Sequence, residues 1–516
     1  MVDILIAGGG PTGLLLACEL RLAGANPVVL ERLPEVKNQD KANGLTGQVV
    51  RLLDQRGLYE RCGGGGAPAP APAFFFGGMT LPLARLGDRN SMYILPIPQP
   101  ELERVLNERA AELGVDLRRG YEVTGFDQTE TSVTVLARSS TGEETTFEAR
   151  YLVGCDGGHS LVRKDAGFAF PGIVNEHVVV RSAVIGRNDD LSLGPGGRLP
   201  GEPLKGLNRP AGYFRTETGV FNMGALDPER PQINTIEWED HPVGDWPGEG
   251  TPMTLVEMED SVERVLGFRP HLTPPPPGGS DLLRRRCGRN TRLADHYREG
   301  RLFIAGDAAH VHAASGGPGL NLALQDAANL GWKLAASLQG WAPEGLLDSY
   351  ETERRAIGER VFMQTQAQSA LYAPGGDVTA LRQLFGEFLT HNENVQLIAD
   401  LMAGTDVRYD MGEADPAPAT GWFVPPISLL TEEGERRLAE LLHDGRPALL
   451  DGSDGPELAA ALEPWQGRVR HLPVRGGGAT PNLLIRPDGY VAWSGDDAAT
   501  LSGALHRWFG GGGAFR

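Results

Sequence analysis

A glycine motif between a short apolar segment and a helical pattern constrains the fold of this chain more than any other feature. Residues 2–7 predict a buried strand, residues 11–24 a leucine-rich helix and residues 27–31 a second strand. Residues 8–13 read GGGPTG and contain a GxGxxG motif at the first strand–helix junction, and Glu31 ends the second strand. This order predicts a Rossmann-type βαβ unit at the N-terminus.

Each residue of the motif has a physical role. Gly8 allows a tight turn, Gly10 lets the backbone approach a pyrophosphate, and Gly13 lets the helix pack closely on the sheet. The helix N-terminus offers oriented N–H groups to the phosphates, and the Glu31 carboxylate can accept hydrogen bonds from ribose hydroxyls. The motif predicts a bound dinucleotide, but by itself it does not separate FAD from NAD.

Composition excludes several other classes of protein. The formal net charge of −19 argues against a nucleic-acid partner, since that binding relies on clustered Lys and Arg. The four cysteines lie far apart without a CxxC pair, which predicts neither a disulfide framework nor a zinc site and fits a reducing cytoplasm. No apolar run reaches the roughly 20 residues of a membrane span, so we expect no membrane partner.

The rest of the chain divides into regions of different pattern. Alternating stretches at 133–137, 178–184 and 213–223 predict an antiparallel sheet in the middle of the chain. A helical pattern dominates residues 321–371. Beyond about residue 405 the pattern restarts, with short strand-like segments and a last helix, which predicts a small separate C-terminal domain.

Two later motifs carry a family resemblance. A strand in YLVGCDGGHSLVR leads to Asp156, and a strand in RLFIAGDAAHVHAASGGPGLN leads to Gly306 and Asp307. With GxGxxG, they resemble the three fingerprints of the group A flavoprotein monooxygenases, the para-hydroxybenzoate hydroxylase family. The resemblance covers roughly residues 1–370 and is nearest to the actinobacterial branch that hydroxylates aromatic polyketides and antibiotics.

The resemblance implies an α/β fold with a Rossmann-type FAD-binding domain, an antiparallel-sheet substrate domain, a helical connection and a thioredoxin-like C-terminal domain without redox cysteines. We place the first part of the FAD-binding domain at 1–175 and the substrate domain at 176–285. The second part of the FAD-binding domain, with long helices, is placed at 286–400, and the C-terminal domain at 405–516. The oligomeric state implied is a monomer or a homodimer.

The family chemistry implies FAD, transient NADPH and O₂ as cofactors, with hydroxylation of an aromatic polyketide or similar polycyclic phenol by a flavin C4a-hydroperoxide. The cofactor carries this chemistry, so no catalytic side chain is expected. Two alternatives stay open. One is Baeyer–Villiger oxygenation of a polyketide ketone, and the other is a flavin-binding protein without oxygenase activity.

The resemblance also implies a set of cofactor contacts. Backbone N–H groups of Gly319, Leu320 and Asn321 would face the flavin pyrimidine edge. Besides the motif residues Gly8, Gly10, Gly13 and Glu31, the FAD or NADPH contacts expected are Pro11, Thr12, Arg32, Lys41, Gln99, Val123, Asp156, His159, Asp307 and Pro318.

Four of these positions also have a plain structural interpretation. Asp156 could be the turn residue of Asp-Gly, and Asp307 could cap the short helix that follows it. His159 could be an inert surface histidine, and Gln99 an exposed amide ahead of a helix. Arg163 could pair with Asp156 and so stabilise that loop.

Some residues depart from the family pattern. Lys41 and Gln48 stand where relatives usually carry arginine, and lysine keeps the charge but loses the bidentate fork. Ala313, Ala314 and Pro318 change a loop that is usually PPTGGQG. We expect these changes to lie on the substrate side of the flavin.

The substrate cavity is expected between the middle sheet and the flavin. We expect aromatic and flexible side chains to line it, namely Phe74, Phe75, Phe76, Tyr213, Phe214, Arg215, Phe221 and Met223. Alternate residues of a strand face opposite sides, so about half of these belong elsewhere. No metal site is predicted: His310 and His312 lie at i and i+2 just after a strand, and the only close carboxylate, Asp307, is better explained by flavin contact.

Overall fold

A computed structural model describes residues 2–36, 42–188, 191, 212–224, 227–239, 251–313, 317–431, 434–453, 455–474 and 481–512. The elements up to residue 165 are β1 Val2–Ala7, α1 Pro11–Leu22, β2 Pro27–Glu31, β3 Gly44–Thr46, α2 Gln48–Asp54, β4 Phe74–Phe76, β5 Met79–Leu81, β6 Ile94–Pro96, α3 Gln99–Glu112, β7 Asp116–Arg119, β8 Tyr121–Gln128, β9 Val133–Ser139, β10 Glu144–Gly154 and α4 Leu161–Asp165.

The middle of the chain contains β11 Gly172–Val184, β12 Gly212–Arg215, β13 Gly219–Gly224, β14 Gln232–Trp238, α5 Leu255–Leu266 and β15 Leu283–Leu293. The elements from there to residue 403 are β16 Arg298–Glu299, β17 Leu302–Ile304, β18 His310–Val311, α6 Pro318–Leu338, α7 Asp348–Tyr372, α8 Gly376–Phe388 and α9 Asn392–Ala403. The C-terminal elements are β19 Ser428–Thr431, β20 Gly434–Arg437, α10 Leu438–Leu441, β21 Ala448–Asp451, α11 Glu457–Leu462, β22 Arg470–Pro473, β23 Leu483–Ile485, β24 Val491–Ser494 and α12 Ala498–Phe509.

The first sheet has the strand order β16-β17-β10-β1-β2-β7, and β17, β10, β1, β2 and β7 run parallel. Ile4, Leu5 and Ile6 are fully buried, as expected for a parallel strand that is covered on both faces. The carboxyl ends of β1, β2, β10 and β17 meet at one edge of the sheet. The three motifs therefore come together there, although they lie about 150 residues apart in sequence.

The segment 133–137 was interpreted as part of the middle sheet, and this prediction is wrong. It forms β9, which pairs antiparallel with β8 and β10 in the first sheet. Alternation of apolar residues shows that one face of a strand is buried, but it does not show in which sheet the strand lies. Residues 213–223 form two paired strands, β12 and β13, instead of one.

The middle sheet has the order β12-β13-β14-β11-β15-β18, and its paired strands are antiparallel. Helix α5 packs on one face, where Phe221 and Ile233 contact a cluster that includes Met258 and Val262. The other face is turned toward β4, β5 and α7, since the Tyr213 ring lies 5.5 Å from that of Phe75 and 5.4 Å from that of Tyr372.

The C-terminal domain contains a four-stranded sheet, β22-β21-β23-β24, with β21 parallel to β22 and antiparallel to β23. A buried ion network joins this domain to α6 and α7. Glu353 Oε2 lies 2.7 Å from Lys333 Nζ and 2.8 Å from the Arg486 guanidinium, which also pairs with Asp488. These observations confirm the predicted fold class. Within the described part of the chain, no helix is long and apolar enough to cross a membrane.

Candidate flavin site

The turn between β1 and α1 requires glycine at two positions. Gly8 has a φ of 107°, and a Cβ there would lie 2.3 Å from the Cys155 carbonyl oxygen. A Cβ on Gly13 would lie 2.0 Å from the Gly8 carbonyl oxygen, so α1 packs directly on the turn. Packing alone therefore accounts for both residues.

Gly10 differs from these two because a Cβ there would meet no protein atom within 4 Å. Gly10 is the N-cap of α1 and provides no side-chain acceptor, so the first N–H groups of this 12-residue helix lack a cap. Pro11 and Gly13 are buried and Thr12 is half-buried. Open space beside uncapped N–H groups at a positive helix end fits a pyrophosphate.

Glu31 lies at the end of β2, next to this turn. Its Oε2 accepts a hydrogen bond from the Gly9 N–H at 2.7 Å, and its Oε1 accepts one from the Leu33 N–H at 2.8 Å. A carboxylate has about four acceptor sites, so two remain for other donors. The side chain is half-buried, which leaves it accessible to ribose hydroxyls. Arg32, the next residue, is exposed.

Asp156 lies after β10, and one of its carboxylate oxygens accepts hydrogen bonds from the helix that follows. Its Oδ2 accepts hydrogen bonds from the N–H groups of Leu161 and Val162 at the start of α4, and Ser160 caps the same turn. Its Oδ1 is buried and has no hydrogen-bond partner among the described residues. Asp156 thus has the structural role of a turn residue together with a buried oxygen that a ligand hydroxyl would satisfy.

The interpretation that Arg163 pairs with Asp156 is wrong. The Arg163 guanidinium donates to the carbonyl oxygens of Ala308 at 2.9 Å and Gly158 at 3.1 Å, and it lies 3.8 Å from the centre of the Phe170 ring. Arg163 therefore ties the loop after β10 to the turn after β17. Burial lowers the pKa of its guanidinium.

Asp307 lies in a one-turn 3₁₀ helix, Gly306–Ala308, and its side chain is exposed on the edge where the motifs meet. Gly306 has a φ of 64°, and a Cβ there would lie 2.7 Å from Thr12 Oγ1 on α1. This contact brings the turn against the glycine motif. An exposed carboxylate at this place can accept a hydrogen bond from a ribityl hydroxyl.

A buried aspartate, which sequence reasoning missed, supports this turn. Asp326 of α6 accepts hydrogen bonds from the Gly306 N–H at 3.2 Å, from His310 Nε2 at 2.7 Å and from Arg354 Nε at 2.8 Å. Burial acts to raise the pKa of Asp326, but Arg354 and His310 together hold it below its usual value. Its sequence signal is a lone acid in the apolar helix LNLALQDAANL.

The N-terminus of α6 points to the same edge. Gly317 is its N-cap and provides no side-chain acceptor, Pro318 begins the helix, and Pro318, Gly319 and Leu320 are half-buried. The Asn321 side chain is engaged with β3: its Nδ2 donates to Thr46 Oγ1 at 2.8 Å and to the Gly317 carbonyl at 2.8 Å. Asn321 therefore holds the helix end in place, and the uncapped N–H groups stay available to an electron-rich ring edge.

The remaining predicted cofactor contacts are bonded elsewhere in the protein, exposed, or outside the described residues. Gln99 begins α3, is half-buried and donates to Glu103 at 2.7 Å, while His159 is exposed. Val123 lies in β8 opposite Ala137. Lys41 and Ala314 fall outside the described residues.

Two residues that depart from the family pattern are buried and bonded within the protein. Gln48 is 2% exposed, and its Nε2 donates to the Gly404 carbonyl at 2.9 Å, after α9. Gln48 therefore ties the start of α2 to the turn after α9. Ala313 is buried, and its N–H donates to Thr291 Oγ1 at 3.4 Å.

The predicted substrate residues divide between the two faces of the middle sheet. Phe75 and Tyr213 meet on the face away from α5. Arg215 lies on that face too, but its guanidinium donates to the Ala373 and Gly375 carbonyls and to Thr379 Oγ1. The α5 face carries Phe214 of β12 and Phe221 and Met223 of β13. Phe74 and Phe76 of β4 pack in a different cluster, with α8 and α9. Phe221 is fully buried and has no surface for a ligand.

The two histidines after β17 are part of the scaffold. His310 bonds to Asp326, and burial lowers the pKa of His312 to about 3, so the His312 ring is neutral at physiological pH. Within the described ranges, no group of three or more His, Cys, Asp or Glu side chains could hold a metal ion.

A Rossmann-type turn, joined at one sheet edge by carboxylates from two later strands and by a second uncapped helix, defines an FAD-dependent oxidoreductase. A family model of the FAD binding domain matches residues 1–188 and 276–365, and the model "aromatic-ring hydroxylase, C-terminal" matches residues 417–511. The chain belongs to the FAD-dependent aromatic-ring hydroxylases, as its motifs predict, and it is a flavin aromatic monooxygenase.

Several relatives cover nearly the whole chain. A 12-dehydrotetracycline 5-monooxygenase/anhydrotetracycline 6-monooxygenase of Streptomyces rimosus is 40% identical, covering 98% of this chain and 99% of the relative. A rifampicin monooxygenase of Rhodococcus hoagii (99% and 98% covered) and a dialkyldecalin synthase of Streptomyces rugosporus (98% of each) are both 36% identical. The solved structure of CabE, an aromatic hydroxylase from angucycline biosynthesis, is 32% identical with a TM-score of 0.84 and covers 99% of each chain.

Proposed function

We propose that this monooxygenase hydroxylates an aromatic polyketide or a similar polycyclic phenol, with NADPH as the reductant. The observation that carries the proposal is the pair of half-buried rings of Phe75 and Tyr213 on the face of the middle sheet away from α5, with the buried Tyr372 ring packed behind Tyr213. Flat aromatic side chains suit a flat polycyclic ligand. Relatives named for anhydrotetracycline and rifampicin support the same class of substrate.

In this proposal the chain holds the cofactor chiefly by its backbone. The Gly8–Gly13 turn and the α1 N-terminus bind the pyrophosphate, Glu31 accepts from the adenosine ribose, and Asp307 accepts from a ribityl hydroxyl. The N–H groups of Gly319, Leu320 and Asn321 would hold the pyrimidine edge of the flavin and would stabilise negative charge there. When FAD is bound, it supplies the activation of O₂, and the protein supplies position and exclusion of water.

The test is turnover of anhydrotetracycline by the purified yellow holoenzyme, with NADPH and ¹⁸O₂. We expect substrate-stimulated NADPH consumption and a product that contains one ¹⁸O atom as a new hydroxyl group, identified by mass spectrometry and NMR. A lactone would instead indicate Baeyer–Villiger oxygenation. NADPH consumption that no member of a panel of polycyclic phenols stimulates would contradict the proposal.

A second candidate reaction of this monooxygenase is ring formation on its physiological ligand. The 36% identity to a dialkyldecalin synthase favours it, since that name describes ring formation. The two candidates differ in their need for oxygen and reductant. Conversion of a ligand without NADPH under anaerobic conditions would establish the second candidate, and a strict need for both co-substrates would exclude it.

A further inference from the structure

A row of polar side chains crosses the face of the middle sheet that is turned away from α5. The strand register places Tyr213, Asn222, Asn234, Ser182 and Arg284 directly opposite one another on β12, β13, β14, β11 and β15. Residues opposite each other in an antiparallel pair project to the same face. This polar row is therefore a single line of side chains across five strands.

The neighbours of Arg284 show which face the polar row occupies. Arg285 and its cross-strand partner Arg181 project to the α5 face, where both form ion pairs with Glu257, at 2.9 Å in the case of Arg181. Arg284 and Arg286 must then project to the other face, because successive side chains of a strand alternate.

Three contacts show that this face looks toward the flavin site. The ring of Tyr213 meets that of Phe75, and Gln232, two residues before Asn234, accepts a hydrogen bond from Asn43 at 2.8 Å. Burial lowers the pKa of Arg286, and the nearby Asp307 carboxylate partly opposes this effect. The polar row thus lies on the face of the middle sheet that is turned toward the motifs.

Arg285 and Arg181 form ion pairs, whereas Arg284 forms none with the described residues. Its Nε is buried and has no hydrogen-bond partner among the described residues. Burial and the adjacent Arg286 lower the pKa of its guanidinium to about 10. The Arg284 side chain is half-buried, and its one buried nitrogen has no acceptor among the described residues, which indicates a role in binding. The amides of Asn222 and Asn234, 3.1 Å apart, continue the polar row beside it.

We propose that Arg284 binds an ionised oxygen of the polycyclic substrate, an enolate or a phenolate, while Asn222 and Asn234 contact carbonyl or hydroxyl groups along the same edge of the ligand. Guanidinium suits such an oxygen because charge-assisted hydrogen bonds are shorter and stronger than neutral ones. The inference rests on the proposed function and refines it: the substrate is an acidic polycycle, and Arg284 selects its anion.

The test compares two probe ligands that differ in one acidic group, emodin and its 3-O-methyl ether. Binding to the holoenzyme is titrated through the flavin absorbance, over a pH range that ionises the emodin hydroxyl. We expect the unmodified protein to bind the emodin anion at least about tenfold more tightly than the ether, the effect of about one charge-assisted hydrogen bond. Affinity for emodin should rise as its hydroxyl ionises, and affinity for the ether should not.

Arg284→Met should abolish the preference and its pH dependence while binding of the ether changes by less than about twofold, and Arg284→Lys should restore part of the preference. Arg138→Met is the charge-matched control, because Arg138 is 52% exposed on β9. FAD content should match the unmodified protein in all three variants. The urea midpoint should not fall in Arg284→Met, since Arg284 bonds to none of the described residues and its half-buried charge does not stabilise the fold.

Three results would overturn the inference. A preference for emodin that persists in Arg284→Met would refute the role of Arg284 and leave the proposed function intact. Loss of both ligands in Arg284→Met would show a structural role instead of anion recognition. Failure of the unmodified protein to bind either probe would count against the proposed substrate class, and the inference would fail with it.

Discussion

Replacement of Asp326 by asparagine should weaken both the fold and the flavin site. The carboxylate is fully buried and serves three donors: the Gly306 N–H, His310 and Arg354. One carboxylate oxygen accepts from Arg354 and the other accepts from Gly306 and His310. An asparagine has a single oxygen, so one of these two sets of donors would face an NH₂ group. Because the substitution leaves a buried guanidinium without its anion, we expect a loss of about 3–5 kcal/mol in the free energy of unfolding.

The effect on the cofactor should follow from the loss of the Gly306 contact. That hydrogen bond holds the turn that presents Asp307, so we expect FAD affinity to fall by about tenfold, equivalent to about 1.4 kcal/mol. Urea unfolding of the holoenzyme measures the stability, and FAD titration of the apoprotein measures the affinity. Asp348→Asn is the matched control. Asp348 forms an exposed pair with Arg298 and its loss should cost less than about 0.5 kcal/mol.

The pH dependence provides an independent check. The folded pKa of Asp326 lies below its unfolded value of 3.8, so below that value the unfolded state binds more protons than the folded state. Stability from Asp326 is therefore fully present above about pH 4 and is lost as the pH falls through the folded pKa. The difference between the unmodified protein and Asp326→Asn should shrink in acid. A difference below about 1 kcal/mol at neutral pH, with unchanged FAD affinity, would refute the reasoning.

Three further substitutions test other parts of the structure. Gly13→Ala should impair folding, because its Cβ would meet backbone at 2.0 Å, whereas Gly10→Ala should fold with the same urea midpoint and bind FAD more weakly; equal FAD affinity would remove the role of Gly10. Glu353→Gln leaves the buried Arg486 and Lys333 with too few anions, so urea unfolding should show a loss of about 3–5 kcal/mol, and an unchanged midpoint would argue against the network. Asp307→Ala should release FAD on dialysis more readily without shifting the unfolding midpoint of the apoprotein, and unchanged retention would refute its ribityl contact.

Local sequence was sufficient for the βαβ unit and for the family. Gly8 is required by its positive φ and Gly13 by its contact with the Gly8 carbonyl, and this turn lies between two elements that hydrophobic periodicity already predicts. The later motifs end strands in the same manner. Parallel strands bring their carboxyl ends to one edge, so the order of motifs along the chain was enough to predict that they meet.

Tertiary structure alone decided the partners of buried polar groups and the faces of the strands. Asp326, Arg163 and Gln48 bind residues 16 to 356 positions away, and no local pattern specifies such pairs. Tyr213 projects toward Phe75 and Phe221 projects toward α5, and this difference depends on which face of the sheet the helix covers. The two-residue periodicity of a strand shows that successive side chains project to opposite faces of the sheet. Only the packing of other elements on the sheet determines which face is left to meet the ligand.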